Sequence, residues 1–187
     1  DIDADGDLDL CVPNEKTSDV SVYLNDGTGT FGRQTRYGAG LHCSPSEAAD
    51  FDFDGHLDLA VANIFHDDVS VLFGNGDGTF QPQIRLPVGD QPRGLTLVDV
   101  DSDGAMDIVT ANREQVGNGS LSLILCNGDG TFQPEVRIEG GVVLETGVTA
   151  CDMNNDGVFD LICAGYATDD VGILLGDGKG GFAPPVT

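Results

Sequence analysis

The sequence predicts an all-β fold built from repeated units of four short antiparallel strands. Two landmarks recur with a period of about fifty residues, and short runs rich in Val, Ile and Leu alternate with polar residues between them. The 27 glycines gather at recurring places between these runs. This pattern is typical of many short strands joined by tight turns, and no stretch shows the 3.6-residue apolar period of a helix.

The first landmark is an acidic frame of nine residues. It places carboxylates at positions 1, 3, 5 and 9 and a glycine at position 6, and the starts of its four copies lie 49, 49 and 53 residues apart. The four copies are DIDADGDLD from Asp1, DFDFDGHLD from Asp50, DVDSDGAMD from Asp99 and DMNNDGVFD from Asp152.

The second landmark is a glycine-rich turn that follows an alternating apolar run, as in VSVLFGNGDGTF. Its glycines supply the positive backbone φ angles of a tight hairpin. Two landmarks that share one period identify an internal repeat. The four copies of this turn end at Phe31, Phe80, Phe132 and Phe182.

The second unit illustrates how the strands are assigned. The run LDLAVAN, residues 57–63, predicts one strand, and DVSVLFGN predicts the next, with Val69, Val71 and Phe73 on one face. The proline-containing run QPQIRLPVGDQPRG carries an edge strand, and LTLVDV leads into the following acidic frame. Four-stranded units of about 40 to 50 residues are typical of β-propeller blades, whereas β-helix repeats are much shorter.

We therefore expect one repeat array over residues 1–187. The first copy starts in its acidic loop and the last stops early in its outer strand, so we expect part of a larger propeller or array. Units of this kind bury a face only against their neighbours, which favours further blades or another subunit at each end. The expected blades are 1–40, which lacks its first strand, 41–89, 90–141 and 142–187.

The acidic frames are candidate calcium sites. In the second frame, Asp50, Asp52 and Asp54 can turn inward from one curled loop, and the glycine at position 6 permits the bend. The backbone carbonyl of His56 can add an oxygen, and Asp58 closes the far side. Calcium takes 6 to 8 oxygen ligands, whereas magnesium requires a stricter octahedron.

The frames from Asp1 and Asp99 place Asp at the same positions, and the frame from Asp152 differs among these positions by Asn154 at position 3, which together predicts about four calcium ions. Two carboxylates ~4 Å apart repel by about 4 kcal/mol at an effective dielectric of 20, so the metal-free loops should splay. Asn154 offers a neutral oxygen, so the fourth site should be weaker or more tolerant of magnesium. The remaining candidate ligands, with position 7 acting through its carbonyl, are Asp1, Asp3, Asp5, Asp7 and Asp9; Asp99, Asp101, Asp103, Ala105 and Asp107; and Asp152, Asn154, Asp156, Val158 and Asp160.

The EF-hand is the competing calcium motif because it shares the DxDxDG opening. It also needs a bidentate Glu at position 12 and flanking helices. Position 12 is instead Val12, Val61, Thr110 or Cys163, so the sequence argues against an EF-hand in all four copies.

Composition limits the other partners and the redox chemistry. The formal net charge of -24 argues against nucleic acid and anionic membrane surfaces. No apolar run approaches the ~20 residues of a membrane helix. Five cysteines form no CxxC pair, and the sequence does not choose among disulfide schemes; buried free thiols are the simpler interpretation.

The pairing of DxDxDGxxD loops with GDGTF turns resembles the FG-GAP (VCBS-type) repeats of the integrin α-chain β-propeller and of many secreted bacterial proteins. The resemblance covers nearly the whole chain. It implies a propeller, commonly of seven blades, with a calcium loop between the first two strands of each blade. It also implies an adhesion module, a sugar-binding lectin or a non-catalytic part of a larger surface protein. Four copies are fewer than a closed ring of that kind contains.

No set of residues predicts an enzyme. His42, His56 and His66 share no metal-like spacing, and the side chain of His56 is expected to be exposed. No serine lies in a GxSxG motif. The propeller portion of a carbohydrate-active enzyme remains the less favoured alternative.

Two functions remain open. One is a calcium-stabilised module that binds a glycan or protein through variable rim loops, with Phe65 and Tyr166 as contacts or as packing between blades. The other is a calcium-hardened spacer or filament subunit that associates through its end blades. Open calcium sites suit the millimolar calcium outside cells, which predicts an extracellular or cell-surface location. The rim loops are residues 14–19, 63–68, 112–120 and 165–170.

Overall fold

The fold is entirely β in the part of the chain that the structure describes. This computed structural model describes residues 1–113, 119–142, 145–167 and 169–187, and every regular element in those ranges is a strand. The all-β prediction is therefore confirmed. The same ranges contain no helix of the length and apolar character needed to span a membrane.

The strands form four antiparallel sheets that follow one another along the chain. Sheet 1 contains β1 (Leu10–Asn14), β2 (Asp19–Tyr23) and β3 (Thr35–Gly38); sheet 2 contains β4 (Cys43–Ala49), β5 (Asp58–Asn63), β6 (Asp68–Leu72) and β7 (Ile84–Pro87); sheet 3 contains β8 (Pro92–Val98), β9 (Asp107–Asn112), β10 (Ser120–Ile124) and β11 (Val136–Glu139); sheet 4 contains β12 (Glu145–Cys151), β13 (Asp160–Gly165) and β14 (Val171–Leu174).

Each sheet is a meander in which sequential strands pair. In sheet 2 the acidic frame joins β4 to β5, and the glycine-rich turn follows β6. That turn closes through an isolated bridge between Gly74 and Phe80, and the Asn75 amide donates to the Thr79 carbonyl at 2.9 Å. The predicted tight hairpin is confirmed, and it lies at the same end of the sheet as the acidic frame.

The apolar core is divided among the spaces between consecutive sheets. In sheet 2, Val69 and Val71 are fully buried and Phe73 packs beside them, which confirms the predicted apolar face. The opposite face of that sheet, including Leu59 and Val61, packs against sheet 1. Three clusters result: Val20, Val22, Leu59, Val61 and Leu72 between sheets 1 and 2; Ala60, Val69, Val71, Ile108 and Ile124 between sheets 2 and 3; Val109, Leu121, Leu123, Leu161 and Leu174 between sheets 3 and 4.

The first strands of sheets 2, 3 and 4 lie side by side, with β8 in contact with both β4 and β12. Glu47 in β4 accepts a hydrogen bond from the Leu97 amide in β8 at 3.0 Å. At Gly94 in β8, a Cβ atom would lie 2.9 Å from both the Gly147 Cα and the Val148 nitrogen. Only glycine at this position allows β12 to approach so closely.

All five cysteines are free thiols, and three of them are buried. Burial raises the pKa of the Cys43 and Cys126 thiols, which keeps both protonated. The Cys126 Sγ donates to the Phe51 carbonyl of sheet 2's acidic loop at 3.3 Å, and the Cys163 Sγ donates to the Gly140 carbonyl at the same distance. The interpretation as buried thiols holds for Cys43, Cys126 and Cys163, whereas Cys11 and Cys151 are half-buried.

Candidate metal centre

The acidic frame of sheet 2 curls because two of its residues have positive φ angles. Phe53 at position 4 has φ of 55° and Gly55 at position 6 has φ of 90°. The curl brings the Gly55 amide within 2.9 Å of Asp50 Oδ2, to which it donates. Glycine tolerates this conformation at no steric cost, which explains its place at position 6. The left-handed residue at position 4 leaves no comparable signal in the sequence, since it is Ala4, Phe53, Ser102 or Asn155 in the four frames.

The carboxylates at positions 3 and 5 each accept a hydrogen bond from the amide two residues further on. Asp52 Oδ1 accepts from the Asp54 amide at 3.2 Å, and Asp54 Oδ1 accepts from the His56 amide at 2.8 Å. These contacts are Asx turns, which stiffen a short loop. They engage one oxygen of each carboxylate and leave the second oxygen available to a ligand.

The aspartate at position 9 fastens the loop to the rest of its sheet. Asp58 is fully buried, and its Oδ2 accepts from the Phe51 amide while its Oδ1 accepts from the Gly74 amide, both at 2.8 Å. The same pair of bonds recurs in the other three sheets. Asp9 accepts from Ile2 and Asn25, Asp107 from Val100 and Cys126, and Asp160 from Met153 and Gly176, at 2.7 to 3.0 Å.

The folded loops bring carboxylate oxygens together in three of the four frames. Each group offers three ligand atoms that lie within 4.8 Å of one another. The three groups differ in which aspartates they contain. The first group includes the aspartate at position 5, Asp5, whereas the other two include the aspartate at position 9 and leave out Asp54 and Asp103. The groups are Asp1, Asp3 and Asp5; Asp50, Asp52 and Asp58; and Asp99, Asp101 and Asp107.

The fourth frame holds one carboxylate fewer. Asn154 occupies position 3, and its Nδ2 donates to Asp156 Oδ2 at 2.8 Å. The backbone curl is nevertheless the same, because Asp152 Oδ2 accepts from the Gly157 amide at 2.9 Å. The neutral side chain changes the charge of this loop and leaves its shape intact.

Among the residues that the structure describes, two buried carboxylate oxygens have no hydrogen-bond partner: Asp50 Oδ1 and Asp101 Oδ1. A buried oxygen of this kind is costly unless something satisfies it. Burial, together with the neighbouring aspartates, raises the pKa of Asp52 and of Asp101. Burial is also the main reason that the pKa of Asp58 rises to about 6. A hard divalent cation held by oxygen ligands would relieve each of these conditions, so the residues fit calcium.

Three of the four position-7 side chains, those of Asp7, His56 and Val158, lie under the glycine-rich turn of their own sheet. His56 is half-buried, so the expectation of an exposed side chain is wrong. The hairpin covers it: a Cβ atom at Gly76 would lie 2.2 Å from the imidazole Nδ1. At Gly27 a Cβ atom would lie 2.4 Å from an Asp7 carboxylate oxygen in the same way. Ala105 is buried at this position in sheet 3, and Val158 lies against Gly178 in sheet 4.

The turn of the following sheet contacts the same loop from the other side. The Gly130 amide in sheet 3 donates to the Phe51 carbonyl in sheet 2's loop at 3.2 Å. The Gly180 amide in sheet 4 donates to the Val100 carbonyl at 3.3 Å. Each of these two loops is therefore held between its own hairpin and the hairpin of the next sheet.

The opposite end of the sheets carries the variable loops. Phe65 is 57% exposed and stacks on His42 at 4.7 Å between ring centroids, and Tyr166 is 66% exposed beneath the Arg113 guanidinium at 5.1 Å. His66 Nδ1 accepts from the Leu41 amide at 2.9 Å. Within the described residues no histidine joins a metal-like group. Of the rim loops, residues 114–118 and Thr168 lie outside the described residues.

A comparison with protein families gives two matches to one family. The FG-GAP-like repeat matches residues 1–61 and again residues 50–110, and together these spans cover more than half of the chain. Each span begins at the start of an acidic frame, and the second begins before the first ends. No curated protein sequence matches the chain significantly.

Proposed function

Because the chain belongs to the FG-GAP-like repeat family, we propose that it is a non-catalytic, calcium-binding β-propeller module of an extracellular or cell-surface protein. The observation that carries the calcium assignment is the unpartnered Oδ1 atom of Asp50, with its counterpart in Asp101, inside a group of carboxylates within 4.8 Å. Each such oxygen is a ligand position that no protein donor satisfies.

Calcium would also reduce the repulsion among the carboxylates of the chain. Four divalent ions carry eight positive charges and change the formal net charge from -24 to -16. The carboxylates at positions 1 and 3 would contribute the oxygens that the backbone amides leave free, and Asp58 would contribute its remaining lone pairs. FG-GAP repeats are typical of extracellular or surface proteins, where millimolar calcium would fill sites of modest affinity.

Three features support the propeller architecture. The sheets follow one another along the chain, each pair of consecutive sheets shares an apolar cluster, and the first strands of sheets 2 to 4 lie side by side. Radially arranged blades around an axis have these properties. We assign the blades as expected from the repeat: 1–40, 41–89, 90–141 and 142–187.

The end of the sheets opposite the acidic frames is the proposed binding surface. Phe65 and Tyr166 expose more than half of their rings there, and both are supported by a neighbouring side chain. Exposed aromatic rings on loops of a rigid scaffold suit contact with a sugar ring or a protein side chain. The ligand class we propose is a glycan or a protein.

Calorimetric titration of the chelator-treated protein with calcium tests the proposal. We expect about four ions per chain, with the fourth site weaker. Asp101→Asn should still bind about four ions but with a second weakened site, because its loop then has the same residue types at positions 1, 3, 5 and 9 as the fourth frame. This substitution keeps the side chain's size and removes its charge. A wild-type protein that takes up no calcium at millimolar concentration would overturn the assignment. Unchanged binding by Asp101→Asn would overturn the role of that loop.

A further inference from the structure

Sheet 3 carries two arginines, Arg93 and Arg113, that pair with none of the described carboxylates. The chain has 32 acidic side chains and only 8 basic ones, so a basic side chain should rarely lack an acidic partner. The arginines of the outer strands β3, β7 and β11 follow this expectation, since each pairs with a carboxylate of its own repeat. Those pairs are Arg36 with Asp19, Arg85 with Asp68, and Arg137 with Glu135.

The Arg93 guanidinium is partly buried as well as unpaired. Its Nε is one of four buried side-chain polar atoms without a hydrogen-bond partner in the described part of the chain. The other three belong to the acidic frames, in Asp50, His56 and Asp101. Partial burial of a charge that no group compensates is costly. An anion at the terminal nitrogens of Arg93 would offset this cost, whereas the proposed calcium ions are cations at the opposite end of the sheet.

The two arginines lie within one residue of the same register pair, at the end of sheet 3 that carries the rim loops. Pro92 of β8 and Asn112 of β9 are register partners. Arg93 directly follows the first of them, and Arg113 directly follows the second. The Arg113 amide donates to the Gln91 carbonyl at 3.2 Å, and Arg93 is the extra residue of a bulge in β8. Two long side chains from such close positions can reach one ligand.

The neighbouring loops leave both guanidinium groups without a counter-charge. The Asp67 carboxylate reaches this segment, but it accepts from the Gln91 amide at 2.8 Å and pairs with neither arginine. The Arg113 guanidinium lies 5.1 Å from the centre of the Tyr166 ring, which orients the cation and does not neutralise it. The rim loop that contains Asp67 also carries the exposed ring of Phe65. This surface therefore combines two unpaired cations with an exposed aromatic ring.

We propose that this surface binds a glycan through the carboxylate of a sugar acid. The inference rests on the proposed binding function of the rim loops and names the chemistry of their ligand. Arg93 and Arg113 donate from their terminal nitrogens to the carboxylate oxygens, since the planar guanidinium matches a planar anion. A short ligand with a single carboxylate suits the surface, because the acidic charge of the chain as a whole repels a long polyanion.

The aromatic ring favours a sugar acid over an acidic peptide. Phe65 is supported on one side by His42, at 4.7 Å between ring centroids, and the rest of its surface is exposed. A sugar acid carries its carboxylate on a ring that also has an apolar face, which can lie on Phe65 while the carboxylate meets the arginines. The side chain of a glutamate or aspartate offers no such face.

Paired glycans test the need for a carboxylate. The array carries glycans that end in glucuronic, galacturonic or sialic acid, each also present as its carboxamide, and the wild-type protein is applied in excess calcium. We expect binding of at least one acid, with a Kd about tenfold or more higher for its carboxamide, because hydrogen bonds between charged groups are the stronger ones. Calorimetry of the bound pair measures the ratio.

The other outcomes of the array distinguish this inference from the proposed function. Equal binding of acid and carboxamide, or binding of neutral glycans alone, would overturn the inference and leave a glycan-binding module. Binding of glutamate-containing peptides but of no glycan would overturn it in favour of a protein ligand. Binding of neither would overturn both the inference and the rim-loop function, while calcium titration of the same sample tests the metal sites separately.

Arginine variants test the assigned residues. Arg93→Gln and Arg113→Gln should each raise the Kd for the bound acid about tenfold to hundredfold and leave that for the carboxamide nearly unchanged. Arg33→Gln is the matched control, because Arg33 is exposed and follows the glycine-rich turn of sheet 1 at the opposite end. It removes the same charge and should bind like wild type. Wild-type affinity in both rim-end variants would overturn the assignment.

A stability measurement separates binding from a structural role of Arg93. Because no protein group pairs with its guanidinium, Arg93→Met keeps the length of the side chain and removes an uncompensated charge. The Tm of the ligand-free variant should therefore equal or exceed that of the wild type. A clear fall in Tm would show that Arg93 stabilises the fold and would overturn its assignment to the ligand.

Discussion

Asp58 accepts a hydrogen bond at 2.8 Å from the amide of Gly74, which lies sixteen residues further along the chain and directly follows β6. The second oxygen of the same carboxylate accepts from the Phe51 amide at the other end of the acidic loop. One buried side chain therefore joins the acidic loop to the hairpin of its sheet. Position 9 of the frame consequently has a structural role that is independent of any metal.

Asp58→Ala should destabilise the protein even in the presence of EDTA. The substitution leaves two buried amides, those of Phe51 and Gly74, without an acceptor, and each costs about 1–3 kcal/mol. We expect a loss of about 2–5 kcal/mol in the free energy of unfolding, measured by urea denaturation. A loss that appears only when calcium is present would contradict this role of Asp58.

Asp54→Ala should show the opposite dependence on calcium. Asp54 is exposed and accepts one local hydrogen bond, from the His56 amide, so its removal should change little in EDTA. In about 1 mM calcium, loss of a site that binds at ~10 μM would remove about 2.7 kcal/mol of stabilisation. The urea midpoints of Asp54→Ala and Asp58→Ala, each measured with and without calcium, test this opposite dependence on calcium. Equal losses of stability for Asp54→Ala under both conditions would count against Asp54 as a ligand.

Chelation should lower the melting temperature of the wild-type protein steeply. Each filled site of ~10 μM affinity adds about 2.7 kcal/mol at 1 mM calcium, and four sites together exceed the whole stability of many domains. Differential scanning calorimetry in calcium, in magnesium and in EDTA measures the shift. Magnesium should restore only part of it. An identical melting curve in calcium and EDTA would show that the loops do not hold the metal.

Gly94→Ala and Gly147→Ala form a matched pair at one register position. At Gly94 a Cβ atom would lie 2.9 Å from the backbone of β12, so the two strands must move apart, at a cost of about 1–3 kcal/mol. At Gly147 a Cβ atom would meet nothing within 4 Å, so this substitution should stay within about 0.5 kcal/mol. Urea denaturation of the two variants measures the difference. Similar losses for both would contradict the close approach of β8 and β12.

The calcium-free protein should become more stable as the pH falls from about 7 to about 4. Burial raises the pKa of Asp58 to about 6 and that of Asp107 to about 7, whereas both are near 3.8 in the unfolded chain. Within this window the native state binds more protons than the unfolded state, so its stability declines as the pH rises. Melting temperatures in EDTA between pH 4 and pH 8 measure the trend.

Repulsion among the surface carboxylates also lowers the stability of the protein as the pH rises. A control must therefore separate this effect from the titration of Asp58 and Asp107. In the double variant Asp58→Asn, Asp107→Asn, the buried groups no longer titrate, and the dependence on pH should flatten between pH 5 and pH 7. An unchanged slope would assign the effect to the surface carboxylates. Calcium should reverse the trend in the wild-type protein, because protons compete with the metal for the same oxygens.

Much of the fold could be predicted from local pattern. The strand β5 (Asp58–Asn63) begins one residue after the predicted start and ends where the prediction does, because alternation and flanking turn residues define such strands. The apolar face of Val69 and Val71 followed from the two-residue period of a strand. The glycine-rich turn followed from its positive-φ residues.

The rest required contacts between residues that are distant in the sequence. The sequence assigned Asp58 to close a metal site, and nothing local revealed its bond to the Gly74 amide. The exposure of His56 was mispredicted for the same reason, since the turn that covers it lies twenty residues away. The bond from the Gly130 amide to the Phe51 carbonyl joins different sheets, and the repeat period alone cannot show which sheets are neighbours.

The division of the core has a consequence for how the protein can be cut or extended. Every apolar cluster draws its side chains from two consecutive sheets, so no sheet possesses an interior of its own. A deletion within one repeat would remove side chains that pack in the cluster shared with the neighbouring sheet. Gain or loss of a whole repeat instead replaces one set of packing side chains with another of the same kind. Length is therefore the property of this architecture that evolution can change most freely, in steps of about fifty residues.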